Sequence, residues 1–88
     1  MTPERLKDLL DDFCEQNGGG YRSVETWPAP YGGISGELVW GRFDGAEVAG
    51  RQKQIQEFLK KRLLPAERSM ISVVYAKGVR EKAVETLQ

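Results

Sequence analysis

The chain has 88 residues, of which 40% are hydrophobic and 30% charged, and its formal net charge is zero. This length predicts one domain with a modest core and little room for a deep pocket. No apolar run approaches the ~20 residues that span a bilayer, and the first residues lack a signal-peptide pattern. We therefore expect a single domain over residues 1–88, in the cytoplasm and without membrane contact.

The sequence contains one cysteine, Cys14, and no histidine. A disulfide within the chain is impossible, and catalysis by Ser-His-Asp or Cys-His groups is excluded. A zinc or iron–sulfur site made by this chain alone is close to excluded, because Cys and His are the usual ligands. We expect no catalytic residue, no cofactor and no metal site. Cys14 is interpreted as an incidental residue on the flank of a helix rather than a reactive thiol.

Charge is unevenly distributed along the chain. Residues 1–44 contain four Lys and Arg against eight Asp and Glu, whereas residues 45–88 contain nine against five. Two differently solvated faces are one explanation, and a basic surface that meets an acidic partner or a phosphate backbone is the other. A pI near 6.3 argues against a dedicated nucleic-acid binder, for which a pI above ~9 is typical.

The first predicted element is a helix over residues 3–16, which Thr2 is suited to cap. One stripe of this helix is apolar at a spacing of three and four residues: Leu6, Leu9, Leu10 and Phe13. Asn17 and Gly18 end the helix. The three glycines at 18–20 predict a flexible connection, because the residues of a P-loop or dinucleotide-binding loop do not follow them.

Two strands follow, over residues 21–27 and 34–43. In the second, alternation places Ile34, Gly36, Leu38 and Trp40 on one face and Val39 and Phe43 on the other. The connection between the strands is too long for a two-residue turn, and it carries Tyr31 with Trp27 at its base. Aromatic side chains that only cover the sheet are one interpretation of this loop, and a contact site is the other.

The longest helix follows the turn at Asp44-Gly45 and ends at Leu64, before Pro65. Its predicted buried stripe consists of Val48, Ile55, Leu59 and Leu63, widened by Phe58. Gln52 falls inside this stripe by spacing, Arg51 flanks it, and Lys53 lies on the solvated side.

The remaining elements are a helical turn at 65–69, a strand at 70–76 and a helix at 79–87. The strand is predicted to place Ile71, Val73 and Tyr75 on one face and Met70 and Val74 on the other. The helix offers four residues for docking: Val79, Ala83, Val84 and Leu87. A strand, a helix and a strand imply a right-handed crossover with parallel pairing, and the first two strands pair antiparallel. We predict an α+β fold, a two-layer α/β sandwich in the order α-β-β-α-β-α, with helices packed on a three-stranded mixed sheet.

This order, together with two short motifs, resembles the BolA family, whose fold is similar to the type II KH arrangement. The motifs are Arg42-Phe43-Asp44-Gly45 and Arg51-Gln52-Lys53-Gln54-Ile55. The turn at Phe43-x-Gly45, the residues Arg51, Lys53, Ile55 and Leu59, and the alternating strand at 71–75 match the family pattern. The resemblance covers roughly residues 34–80.

Gln52 stands where the BolA family has a histidine. The resemblance implies that this histidine helps to hold an iron–sulfur cluster shared with a monothiol glutaredoxin. A neutral amide is a poor ligand for iron, and the hairpin loop contains no Cys or His. We therefore expect no cluster ligation, and a glutaredoxin-type partner follows from the resemblance alone.

Three functions are compatible with the sequence, which does not determine the oligomeric state. The first is a non-enzymatic BolA-like regulatory or adaptor module. It would bind a protein through an exposed face around Arg51, Gln52 and Lys53 and the edge of the third strand, with Trp27 and Tyr31 as further contacts. The second is KH-like nucleic-acid binding. Against it, the only Gly-x-x-Gly, at 33–36, lies in the hairpin rather than between the long helix and the third strand. An enzyme is disfavoured because no acid–base pair is recognisable.

Overall fold

The computed structural model describes residues 1–87. Its elements in chain order are α1 (Pro3–Gln16), β1 (Arg22–Pro28), β2 (Ile34–Trp40), a 3₁₀ turn (Gly41–Phe43), α2 (Val48–Arg62), α3 (Pro65–Arg68), β3 (Ile71–Lys77) and α4 (Val79–Leu87). The three strands form one sheet in the order β1-β2-β3, in which β1 is antiparallel and β3 parallel to β2. This confirms the predicted α+β fold, the element order and the mixed sheet.

The main core lies between one face of the sheet and the helices α1 and α2. All four residues of the predicted α1 stripe are buried in it. The ring of Phe13 packs edge-on against Trp40 and Phe58, with centroids 5.6 and 5.5 Å apart. Cys14 is buried in the same core, so its predicted position on the helix flank is wrong. Thr2 caps α1 as expected, because its hydroxyl accepts a hydrogen bond from the Arg5 backbone.

β2 ends at Trp40, three residues earlier than predicted. The chain then makes the 3₁₀ turn, which swings Phe43 into the core beside Trp40, with the two rings 5.1 Å apart. The predicted placement of Phe43 on the opposite face is therefore wrong, because the alternation of a strand no longer applies there. Val39 does lie on the opposite face, below α4.

β3 contains an irregularity that changes which side chains face the core. Ile34 pairs with Ile71 and Ser35 pairs with Val73, so one extra residue of β3 lies between them. Such a bulge resets the alternation of the strand. Ile71 consequently packs against the core together with Val74, whereas Val73 and Tyr75 are exposed. The predicted grouping of Ile71 with Val73 and Tyr75 is wrong for this reason.

α2 begins at Val48 and ends at Arg62, within the predicted segment. Ile55, Leu59 and Leu63 are buried as predicted, and Phe58 is partly buried against the core. Val48 is 63% exposed, so its assignment to the buried stripe is wrong. It lies in the first turn of the helix, beyond the residues that form the core.

α4 lies across the face of the sheet that α1 and α2 leave free, which we call the outer face. The Asp44 carboxylate caps it by accepting a hydrogen bond from the Arg80 backbone, at 3.0 Å. No residue of α4 is fully buried. Of the four predicted docking residues, Val79 is half-buried, whereas Ala83, Val84 and Leu87 are exposed.

Candidate functional site

Arg51 is buried and bonded within the fold, with 3% of its surface exposed. Its guanidinium donates to the carbonyls of Ala76 and Ala46, at 3.2 and 2.7 Å, and to both carboxylate oxygens of Glu81. It also lies 5.7 Å from the centre of the Phe43 ring. The prediction that Arg51 belongs to an exposed contact face is therefore wrong. The predicted position of Arg51 beside the apolar stripe of α2 is correct, but its guanidinium is bonded to other groups of the fold instead of facing a partner.

Gln52 is half-buried and donates from Nε2 to the Val74 carbonyl at 2.8 Å. Because β3 is an edge strand, Val74 and Ala76 would otherwise present free carbonyls. Gln52 and Arg51 thus occupy two backbone acceptors on the edge of β3. This edge was predicted from the sequence to be part of the contact surface. Lys53 is exposed as predicted.

The residues around Gln52 do not fit an iron–sulfur group. The amide nitrogen of Gln52 is occupied by the Val74 carbonyl, and the hairpin loop supplies no Cys or His. Among residues 1–87, no three His, Cys, Asp or Glu side chains lie close enough together to hold a metal ion. Burial of Cys14 raises the pKa of its thiol to about 11, so this sulfur stays protonated near neutral pH.

The hairpin loop is closed by backbone hydrogen bonds and carries Tyr31 at its tip. The Ala29 carbonyl accepts from the Gly32 backbone at 3.2 Å, and the Ala29 backbone N–H donates to the Gly33 carbonyl at 3.0 Å. Pro30 occupies the second position of this turn, where its fixed φ is favourable. Gly32 and Gly33 adopt φ values of 101° and 79°, which glycine reaches without strain. Tyr31 is fully exposed at the tip.

Trp27 and Tyr31 meet part of β3 on the outer face, and we call the resulting surface the aromatic face. It is defined by five residues: Trp27, Tyr31, Ser35, Val73 and Tyr75. They line a shallow depression of about 280 Å³ together with four uncharged residues of the loop and of β3: Ala29, Pro30, Gly32 and Ser72. Tyr75 is 48% exposed and Val73 37%. The aromatic face is thus an open, uncharged surface on the outer side of the sheet.

The structure separates the predicted contact residues into two groups. Trp27 and Tyr31 lie on the aromatic face, whereas Arg51, Gln52 and Lys53 belong to α2, which packs on the opposite face of the sheet. Val73 and Tyr75 were not predicted as contacts. Alternation places them together opposite Val74, but their exposure depends on the short reach of α4 across the outer face, which alternation does not reveal.

An ion-pair network bounds the aromatic face on the α4 side. Lys77 and Lys82 both contact the Glu37 carboxylate at 3.0 Å, and Lys77 also contacts Glu85 at 2.7 Å. Burial of Glu37 favours its neutral form, but the hydrogen bonds from Lys82 and Lys77 outweigh this and lower its pKa. The hydrogen bonds from Lys77 to Glu85 and Glu37 raise the pKa of Lys77. Opposite charges here neutralise one another, so the network presents no strong field.

Comparison with known proteins leaves the family open. No protein-family model, no curated protein and no solved structure matches this chain. The BolA resemblance therefore stays a prediction. Over residues 1–87, none of the helices has the length and apolar character needed to cross a membrane.

Proposed function

We propose that this chain is a non-enzymatic binding module that engages a protein partner through the aromatic face. The observation that carries the proposal is the cluster of two exposed tyrosines, Tyr31 and Tyr75, and the half-buried Trp27 around one uncharged depression. Aromatic anchors of this kind supply much of the energy of protein interfaces, because they bury a large area and lose little side-chain entropy.

The α2 surface is a weaker choice for this contact. Arg51 and Gln52 already donate to acceptors within the fold, so a partner would have to replace those hydrogen bonds. Of the three predicted contact residues on α2, only Lys53 is exposed, and a single exposed lysine contributes little to affinity. The contact is therefore assigned to the hairpin side of the molecule.

We further propose that the module is BolA-like and acts in the cytoplasm as a regulatory or adaptor protein. The order of elements and the mixed sheet support this proposal, because they agree with the fold that the resemblance implies. Iron–sulfur ligation is not part of the proposed function, since the side chain of Gln52 is an amide bonded to Val74. A glutaredoxin-type protein is one partner to test.

Retention of proteins from an extract of the producing cells tests the proposed contact. The immobilised chain is compared with three variants: Tyr75→Ala, Trp27→Ala and, as a matched control, Tyr21→Ala. Tyr21 is an exposed tyrosine outside the aromatic face. We expect a partner to bind the native chain and the Tyr21 variant and to be lost with the other two. Retention that is equal for all four proteins would contradict the proposal.

A KH-like nucleic-acid-binding protein is the alternative. Exposed rings on a sheet stack bases in several RNA-binding folds, and the Lys77 ammonium lies 5.8 Å from the Tyr75 ring. Against this, the Gly-x-x-Gly at 33–36 starts within the hairpin, and residues 34–36 are buried in β2. Binding of single-stranded RNA that weakens with added salt and with Tyr75→Ala would favour the alternative.

A further inference from the structure

We propose that the occupant of the aromatic face is an uncharged, proline-rich segment of the partner protein in the polyproline II conformation. This inference rests on the proposed function, because it names the chemistry of the partner that the same face binds. Three properties of the face carry it: its charge, its hydrogen-bonding groups and the state of the neighbouring strand edge.

The absence of charge in the lining is the first property. None of the residues that line the depression is charged. A charged segment would lose hydration there without gaining an opposite charge, and burial of an unpaired charge is costly. An uncharged segment with a large apolar surface avoids this cost. Proline rings provide such a surface, and aromatic-lined grooves are the usual receptors for them.

Free hydrogen-bond donors are the second property. Trp40 donates its indole N–H to the Gly19 carbonyl, at 3.0 Å. Within residues 1–87, the Trp27 indole N–H and the hydroxyls of Tyr31 and Tyr75 make no such bond to the protein. A polyproline II segment has no internal hydrogen bonds, so its carbonyls remain free to accept from these donors. The carbonyls of a docked helix are already occupied by its own backbone.

The state of the edge of β3 is the third property. A partner strand that extended the sheet would pair with the free edge of β3. Arg51 and Gln52 already donate to the Ala76 and Val74 carbonyls on this edge, which removes two acceptors from such a pairing. A strand is therefore disfavoured beside the aromatic face, whereas a segment that lies on the rings needs no edge.

The hairpin turn also lowers the cost of binding. Its two backbone hydrogen bonds and Pro30 fix the backbone that carries Tyr31 before the partner arrives, whereas the Tyr31 side chain itself is fully exposed. The proline-rich segment is likewise stiff in its free form. The backbones of both partners thus lose little conformational entropy when they meet.

Nuclear magnetic resonance of the native chain tests this directly, because its two tryptophans give two indole N–H signals. Decaproline is titrated into the protein, and a Gly-Ser peptide of equal length serves as the control. We expect a saturable shift of the Trp27 signal and a much smaller shift of the Trp40 signal, which reports on the core. No shift of Trp27, or an equal shift with the Gly-Ser peptide, would overturn the inference.

Variants then locate the contact. We expect Tyr75→Ala and Tyr31→Ala each to weaken decaproline binding by about tenfold or more, and Tyr21→Ala to leave it unchanged. Unchanged affinity in both of the first two variants would overturn the inference. So would sedimentation showing a dimer of the native chain that Tyr75→Ala dissociates, because a second copy would then occupy the face.

Competition separates this inference from the proposed function. If decaproline displaces a partner whose retention requires Tyr75, both are supported. If the partner requires Tyr75 but decaproline does not displace it, the inference is wrong and the proposed function stands. If no partner requires Tyr75, the proposed function itself is wrong.

Discussion

A single guanidinium, that of Arg51, connects three parts of the molecule. It reaches the end of β3 through the Ala76 carbonyl, the link before α2 through the Ala46 carbonyl, and α4 through Glu81. Arginine suits this position because its planar fork donates in several directions and pairs with a carboxylate through two bonds. Its role is to hold α2, β3 and α4 in a fixed arrangement.

We expect Arg51→Met to lower the free energy of unfolding by about 2–4 kcal/mol, because two backbone acceptors in the interior lose their donor. Methionine keeps much of the buried volume, so the loss reports on the hydrogen bonds rather than on a cavity. Urea unfolding followed by circular dichroism measures it. Lys53→Met is the matched control, and we expect it to change stability by less than about 0.5 kcal/mol because Lys53 is exposed. Equal stability of the two variants would contradict the structural role of Arg51.

Helical spacing predicted the positions of Gln52 and Lys53 on α2 correctly. It gave the position of Arg51 beside the apolar stripe but not its burial. The helical period places Gln52 within the apolar stripe and Lys53 outside it, which is how the structure has them. The partners of Arg51 are 25 and 30 residues away in the chain, at Ala76 and Glu81. No local pattern signals that a helix yet to follow will supply the carboxylate, so its burial was not predictable.

At the level of elements, two glycines are expected to respond in opposite ways to the same substitution. A Cβ at Gly33 would lie 2.6 Å from the Met70 carbonyl oxygen, and the φ of Gly33 is 79°, so Gly33→Ala clashes and is strained. Gly50 lies on the exposed side of α2, with nothing within 4 Å of an added Cβ. We expect Gly50→Ala to stabilise the protein by about 0.5–1 kcal/mol and Gly33→Ala to destabilise it by at least about 1 kcal/mol.

Thermal unfolding of the two alanine variants beside the native chain checks the expectation. The decisive result is the order of their midpoints, with Gly50→Ala above the native chain and Gly33→Ala below it. The reverse order would mean that the hairpin turn is not held against β3 as described.

The attachment of α4 is expected to depend on pH, because ion pairs help to hold it and none of its own residues is fully buried. The hydrogen bonds from Arg51 lower the pKa of Glu81, and the pKa of Glu37 is also lowered, both from an ordinary 4.5. A lowered folded-state pKa gives stability that is present above pH 4.5 and is lost as the pH falls through the folded-state value. Lys77 has a raised pKa, so its contribution is present below its ordinary 10.5 and is lost at higher pH.

We therefore expect a broad plateau of stability between these limits, with a fall on the acid side. The midpoint of urea unfolding, measured as a function of pH, checks this. In Glu81→Gln the acid-side fall should become smaller, because one of the carboxylates that must be protonated is gone. Lys53→Gln is a control and should keep the native profile. An unchanged acid-side fall in Glu81→Gln would show that Glu81 does not contribute to it.

The sequence predicted which helices and strands form and in what order. It did not predict two local irregularities, the 3₁₀ turn after β2 and the bulge in β3. Helical spacing and turn residues define α1, α2 and the strands to within a few residues. The 3₁₀ turn after Trp40 brings Phe43 against Phe13 of α1, and the bulge beside Ile71 arises in the pairing of β3 with β2, so both depend on contacts distant in sequence. These two irregularities decide that Phe43 and Ile71 pack against the core.

At the scale of the whole molecule, the number of helices packed on each face of the sheet determines which part of the sheet stays exposed. Two long helices cover one face of the three-stranded sheet, and only the nine residues of α4 are available for the other. That helix covers the end near Val39 and leaves the aromatic face uncovered. The sequence contained the aromatic residues of this surface, but their grouping required the three-dimensional sheet.

α4 is expected to be an attachment to the fold rather than part of its core, since the buried cluster contains no residue from Val79 to Leu87. A chain that ends at Gly78 should therefore keep the sheet and unfold cooperatively, with a lower midpoint because Arg51 loses Glu81 and Val39 loses its cover. It should also keep the proposed affinity of the aromatic face for decaproline. Circular dichroism, urea unfolding and the titration of the Trp27 indole signal measure these properties. The full-length Glu81→Gln variant separates loss of the ion pair from loss of the helix. A truncated chain without a cooperative transition would show that α4 is required for folding, and the outer face would then have to be considered part of the core.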